Sequence, residues 1–202
     1  MNLDPAWQDI FAPPKLVVCD FGETLFTWNV DWDGWRRDMS RWCERLGFEG
    51  LQTFRFLREH AAPDVLGKVL STWIGYEQND LESALANQPL LEVLKQLRAE
   101  DPSKRLAIFS ANLQSTIALM FERFGISDLF GLVVATDDVL HGKPDPEGMG
   151  HILSAWDAAP EEAILIGNSW KDLEAGRAAG VRAYDVNLMA EGRFKLAPIW
   201  ER

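Results

Sequence analysis

The stretch LVVCDFGETLF, residues 16–26, opens with four apolar residues and places a carboxylate, Asp20, directly after them. An apolar run that does not alternate reads as a strand covered on both faces, as in a parallel sheet. Four more short runs follow: Leu106 to Phe109, Leu132 to Ala135, Ile164 to Ile166 and Val181 to Tyr184. Helical patterns lie among them. Leu90, Leu91, Leu94 and Leu97 share one face behind Pro89. Leu113, Ile117, Met120, Phe121 and Phe124 form a second stripe, closed by Gly125, and Met149, Ile152, Leu153 and Trp156 form a third. From residue 88 onward strand and helix alternate, which predicts an α/β fold with a parallel, right-handed sheet.

The stretch between Phe26 and Gln88 breaks that rhythm. It reads as helical, offers no convincing strand, and holds five of the nine tryptophans: Trp28, Trp32, Trp35, Trp42 and Trp73. This pattern predicts a helical insertion, residues 27–87, packed over the carboxyl end of the first strand. Residues 1–26 and 88–202 then form the α/β core. The tryptophans read first as an ordinary small core, with a pocket roof as a second use.

Composition narrows the function classes. A chain of 202 residues is long enough for one such core plus a modest insertion. Hydrophobic residues at 47% and charged residues at 25% are ordinary for a soluble globular protein. No apolar run approaches a membrane span, and MNLDPAWQDIFAPPK at the start lacks the basic and apolar regions of a secretory signal. Cys19 and Cys43 are too few for a disulfide framework and lack zinc-ligand spacing, so a reducing cytoplasm is the expected setting. A net charge of −11 argues against a nucleic-acid partner but not against a small anionic substrate, which local cations can still attract.

In a parallel sheet ligands bind beyond the carboxyl ends of the strands. Asp20 follows the first apolar run, Ser110 the second, and Lys143 sits in the loop after the third, within HGKPDP. Asn168 and Asp172 follow the fourth, in LIGNSWKD. Each has a bland reading by itself. Thr24 suits a turn, Ser110 a helix cap, Lys143 a solvated surface and Asp172 a helix N-terminus. Asp20 is harder to dismiss, because a charge directly after a buried strand needs partners. Cys19 reads as a small buried side chain. His60, His141 and His151 lack ligand spacing and are assigned no role.

Taken together, these residues resemble the haloacid dehalogenase superfamily of hydrolases, and the resemblance covers nearly the whole chain. Asp20-Phe21-Gly22-Glu23-Thr24 is similar to the family's Asp-x-Asp-x-Thr, Ser110 to its second motif, and Lys143-Pro144-Asp145-Pro146 to its third. Gly167-Asn168-Ser169-Trp170-Lys171-Asp172, followed by Ala175-Gly176, is similar to the fourth, Gly-Asp-x-x-x-Asp. The resemblance implies a Rossmann-like core with a small all-α cap after the first strand. It also implies Asp20 as nucleophile, Lys143 as its neutralising cation and Thr24 as support for the nucleophile loop. Ser110, Ala111, Asn112 and Lys143 would bind substrate, with backbone donors opening the helix after Ser110 holding phosphate oxygens. Asp20, the Gly22 carbonyl, Asn168 and Asp172 would hold Mg²⁺. A small phosphorylated metabolite is the substrate implied first.

Two positions depart from the family pattern. Gly22 stands where most family phosphatases carry a second Asp that handles protons, a contribution of ~10²–10⁴ in rate. Asn168 replaces a carboxylate metal ligand by an amide, a poorer partner for a hard dication. Two alternatives therefore stand beside a phosphatase-like hydrolase. One is a metal-independent hydrolase resembling the 2-haloacid dehalogenases, with Arg36, Arg37 or Arg41 meeting a substrate carboxylate. The other is a catalytically impaired binder that uses its tryptophan-rich cap.

Overall fold

A computed structural model describes residues 10–190; the outer parts of the 1–26 and 88–202 core assignment, residues 1–9 and 191–202, lie outside the described residues. Five parallel strands form the central sheet: β1 (Leu16–Cys19), β4 (Arg105–Phe109), β5 (Leu132–Val134), β6 (Ala163–Gly167) and β7 (Arg182–Asp185). Their order is β5-β4-β1-β6-β7, with Val18 beside Ala107 on one flank and Leu165 on the other. The chain builds one side of the sheet through β4 and β5, then crosses to build the other through β6 and β7. β1 lies at that reversal, where the loops leaving neighbouring strands part and a crevice opens beyond their carboxyl ends.

The unbroken apolar runs are explained by burial on both faces. Val17 and Cys19 face a cluster that includes Leu106, Ile108, Ile164 and Ile166, covered by α4 (Gln88–Glu100) and α5 (Gln114–Phe124). Leu16 and Val18 face the opposite cluster, with Ala107, Phe109 and Leu165, covered by α6 (Glu147–Ala155) and α7 (Trp170–Ala178). Each Val, Leu, Ile or Phe among them contributes roughly 1.5–3 kcal/mol on leaving water. Local signals set the helix ends: Asn87 accepts from Leu90 N at 3.3 Å to start α4, and Gly125, at φ 63, ends α5 in the left-handed conformation.

The insertion holds α1 (Trp32–Arg45), α2 (Phe54–His60) and α3 (Pro63–Glu77), followed by a short 3₁₀ turn. The expectation of no strand here needs correction. β2 (Phe26–Thr27) and β3 (Leu85–Ala86) pair antiparallel where the chain leaves the core and where it returns. Two-residue strands carry no periodicity, so their pairing comes from the ends of the insertion being brought together. Met39, Cys43, Phe54, Leu57, Val69 and Trp73 form the insertion's small core, which Leu113 of the α/β unit joins. Trp35 and Trp42 pack against it, whereas Trp28 belongs to the main core. Thr136 receives Phe54 N on its hydroxyl at 3.0 Å and Arg55 N on its carbonyl at 3.1 Å, tying α2 to the loop after β5. No described helix is long and apolar enough to cross a membrane.

Candidate active site

Three adjacent strand ends and one loop bring the charged groups together. Asp20 leaves β1, Ser110 leaves β4, Asn168 leaves β6, and Lys143 reaches in from the loop between β5 and α6. Lys143 Nζ lies 2.6 Å from Asp20 Oδ1, 2.6 Å from Asp172 Oδ1 and 3.0 Å from the Phe109 carbonyl. It also sits 5.2 Å from the centre of the Phe109 ring. All three ionic side chains are buried, so this is a desolvated triad with net charge −1 rather than a surface ion pair. Thr24 donates its hydroxyl to Asp20 Oδ2 at 3.0 Å, and the Asn168 side-chain oxygen lies 3.3 Å from the same hydroxyl. Glu23, between them, takes the left-handed conformation at φ 61, which keeps this loop tightly turned.

Asp172 both caps a helix and faces the site. Its Oδ2 receives Ser169 N at 3.0 Å and Ser169 Oγ at 2.6 Å, closing the start of α7, while Oδ1 takes the ammonium. Gly167 is required beside it, since a Cβ there would lie 2.3 Å from the Asp172 Cβ. The donors decide how the two carboxylates differ. Burial opposes the charge of Asp172, but Lys143 and Ser169 outweigh it and hold its carboxyl below the usual range. Asp20 is pushed up, first by burial, with Lys143 pulling against it and the Asp172 charge adding to the rise. Lys143 stays above its ordinary value because the two carboxylates overcome its burial. Burial pushes the neighbouring Cys19 thiol far up, consistent with an inert packing role.

A cavity of about 400 Å³ opens above the triad. Asp20, Gly22, Ser110, Asn112 and Lys143 line its floor, and Trp32, Trp35, Trp73, Arg36 and Leu51 of the insertion line its roof. The tryptophans thus serve as small core and as pocket wall at once: Trp28, Trp32, Trp35 and Trp73 follow one another edge to face at 5.0–6.1 Å. Of the three arginines considered for substrate, Arg36 lines the cavity. Arg41 pairs with Asp38 on an exposed helix face, and Arg37 lies 3.9 Å from Asp31.

The backbone donors expected to hold phosphate oxygens are largely taken by protein groups. Asn112 N donates to Ser110 Oγ at 3.0 Å, Leu113 N to Glu77 Oε2 at 3.1 Å and Gln114 N to Asp137 Oδ1 at 3.1 Å. Ala111 N has no protein acceptor among the described residues, which leaves it for a ligand. Helix N-termini attract carboxylates for the same reason they attract phosphate. Glu77, the last residue of α3, is therefore a site neighbour that the sequence reading missed. It is 1% exposed, accepts Trp73 Nε1 at 2.8 Å, and is pushed up in pKa by its burial while its donors pull the other way. Its spacing from Val69 and Trp73 on the buried stripe of α3 was a usable signal, because a carboxylate on an apolar stripe needs partners.

Comparison with known proteins bears on the family and the fold. The family model for haloacid dehalogenase-like hydrolases matches residues 39–186, a span that takes in Ser110, Lys143 and Asp172 and begins after Asp20. The chain is 39% identical over 183 residues to pyrophosphatase PpaX of Listeria innocua, covering 91% of this chain and 81% of that protein. It is 30% identical, with the same coverage, to pyrophosphatase PpaX of Listeria welshimeri. Among solved structures, a haloacid dehalogenase-like hydrolase from Bacteroides fragilis superposes with a TM-score of 0.61 at 24% identity, over 85% of this chain and 87% of that one. The phosphate complex of CbbY from Rhodobacter sphaeroides superposes with a TM-score of 0.56 at 20% identity, over 84% of each chain. These two share the fold. The family match and the Listeria relatives go further: the chain belongs to the haloacid dehalogenase-like hydrolase family.

Proposed function

We propose that this protein hydrolyses the phosphate ester or anhydride of a small molecule, with Asp20 as the attacking carboxylate. The observation that carries the reading is the Asp20–Lys143 contact of 2.6 Å on the floor of a roofed cavity, at the end of the central strand. An Asp20 oxygen bonds to phosphorus as the bond from phosphorus to the leaving oxygen breaks, and the leaving oxygen takes up a proton. Water then attacks phosphorus, the bond to Asp20 breaks, phosphate departs, and the water proton passes to solvent. Lys143 offsets the charge of Asp20 and of the transferring group. Thr24 holds the second Asp20 oxygen so that the carboxylate keeps one orientation. Ser110, Ala111 N and Asn112 line the side where non-reacting phosphate oxygens would lie.

A triad of net charge −1 repels a phosphate dianion, so a further cation at the floor favours the reaction. The donor set fits Mg²⁺ in kind, since Asp20, the Gly22 carbonyl, Asn168 and Asp172 all offer hard oxygens. Bound there, Mg²⁺ would neutralise developing charge on the phosphoryl oxygens. Both Asp172 oxygens and both Asp20 oxygens already hold protein donors, and Asn168 brings no charge, so the site is a weak one. The residue 27–87 unit serves as the cap in this reading, excluding water from the floor. The size of the cavity suits a small molecule. Two buried free cysteines suit a reducing, cytoplasmic setting.

The test is phosphate release from a panel of phosphate monoesters and inorganic pyrophosphate, with and without Mg²⁺, for wild type and Asp20→Asn. Mg²⁺-dependent release that disappears in the variant is expected; release indifferent to Asp20 would sink the reading. Gly22 and Asn168 favour one second reading, metal-independent displacement at a carbon centre. A single turnover in heavy-oxygen water separates the two. Attack at phosphorus puts the label in phosphate, whereas hydrolysis of a carbon ester at the Asp20 carboxyl carbon leaves it in Asp20.

A further inference from the structure

Position 22 has no side chain to meet a substrate, and Asn112 crowds the space it leaves. A Cβ built on Gly22 would lie 3.0 Å from Asn112 Oδ1, tighter than ordinary contact, with Trp28 carbons next at 3.8 Å and 3.9 Å. Asn112 therefore lies over the nucleophile loop where a residue-22 side chain would begin. Its orientation is held from two sides. Ser110 donates its hydroxyl to Asn112 Oδ1 at 3.0 Å and accepts Asn112 N at 3.0 Å, a closed local ring. The next backbone donor, Leu113 N, is gripped by Glu77 Oε2 at 3.1 Å, which ties the peptide that follows Asn112 to the insertion.

Glu77 is itself fixed. Trp73 Nε1 holds Oε1 at 2.8 Å, Trp28 Nε1 holds the Glu77 carbonyl at 2.8 Å, and Gln78 reaches Ser115 and Thr116 at 3.2 Å each. An amide has a donor end and an acceptor end, so a carboxylate on one side selects which end faces Ser110. The acceptor end of Asn112 faces the Ser110 hydroxyl, which leaves its donor end for a carboxylate such as Glu77.

We infer that Glu77 is a positioning residue: from the insertion it sets the Asn112 amide, and through Asn112 the Ser110 hydroxyl and the free Ala111 N–H beside Asp20. The inference rests on the phosphatase reading for its kinetic consequence, though not for its geometry. It also gives Gly22 a reason. Residues 22 and 112 compete for one volume, and this chain fills it from the 112 side.

A double-mutant cycle tests the claim, using wild type, Glu77→Gln, Asn112→Ala, the double variant and Glu77→Asp. Each is assayed for dissociation of inorganic phosphate by calorimetry, for kcat and KM on p-nitrophenyl phosphate, and for thermal midpoint. Glu77→Gln and Asn112→Ala should each weaken phosphate binding by about tenfold and raise KM more than they lower kcat. The double variant should be no worse than Asn112→Ala alone, and Glu77→Asp should recover part of the loss. Independent effects that multiply in the double variant would overturn the inference. So would a lowered thermal midpoint with phosphate binding unchanged.

Should wild type neither bind phosphate nor turn over, the phosphatase reading fails by itself. The geometric claim is then read from the amide resonances of Asn112 and Leu113 by NMR. Glu77→Gln should shift the Asn112 side-chain pair as well as Leu113; a shift confined to Leu113 would overturn it.

Discussion

The strand-end rim and the helical insertion contribute to the same cavity, but by different physics. Asp20, Ser110 and Asn168 each follow a strand, and the strands β4, β1 and β6 are hydrogen-bonded neighbours. Backbone pairing alone therefore sets their spacing, and Lys143 has only to reach one point. In the insertion, Glu77, Trp73 and Trp35 enter the wall because its helices pack on one another and dock on the start of α5 and the loop after β5. The rim holds charge in register; the insertion decides shape and closes the remaining hydrogen bonds. Rim substitutions should thus disturb the buried charges that carry the chemistry, and insertion substitutions the fit of the cavity wall.

The largest expected effect is on the rim. Asp20→Asn should lower kcat on the order of 10⁵-fold, while urea denaturation shows little loss of stability, because Lys143 keeps Asp172. Next comes Lys143→Met. It leaves two buried carboxylates without their cation and should cost about 3–5 kcal/mol, read by the same denaturation curves at neutral pH. A loss below about 1 kcal/mol would mean the triad is solvated like a surface pair.

A smaller effect probes the two positions that depart from the family pattern. Asn168→Asp should tighten Mg²⁺ binding by about tenfold by calorimetry, since it adds a charge to a hard-oxygen site. Adding Gly22→Asp should help less than its chemistry suggests, because its Cβ meets Asn112 Oδ1 at 3.0 Å. If Gly22→Asp raises turnover without any change at residue 112, the competition between the two positions is absent.

In the insertion, Trp73→Phe removes the donor to Glu77 and should cost about 1 kcal/mol while leaving the triad intact. The smallest effect is one of pH. Burial raises the folded-state pKa of Glu77, so the folded form holds its proton more tightly than the unfolded chain does. That contribution is present below the ordinary glutamate value and is lost as pH rises through the folded one. The stability of Glu77→Gln relative to wild type should therefore improve on going from about pH 4 to about pH 7 in denaturation experiments. A relative stability that is flat or falls over that range would mean the donors, rather than burial, set the state of Glu77.

The same contrast explains what could be read without coordinates. The five main strands are legible to within a residue, because burial on both faces leaves an unbroken apolar run and the ends carry polar residues. The gathering of Asp20, Ser110, Lys143, Asn168 and Asp172 follows from that topology. Glu77 was legible only as a carboxylate on an apolar stripe that needs partners; that its partner is Leu113 was not, since Leu113 lies far along the chain in another unit. Nor was the capture of the Leu113 and Gln114 donors, which depends on where Glu77 and Asp137 come to rest. The β2–β3 pair escaped because two residues show no period.

The central claim is that Asp20 carries the reacting group. Acid quenching of a single turnover of wild type, followed by peptide mapping by mass spectrometry, tests it most directly. The account predicts a phosphoryl adduct on the peptide containing Asp20, located at that carboxylate and missing from Asp20→Asn. An adduct on any other side chain, or full turnover by Asp20→Asn, would contradict it.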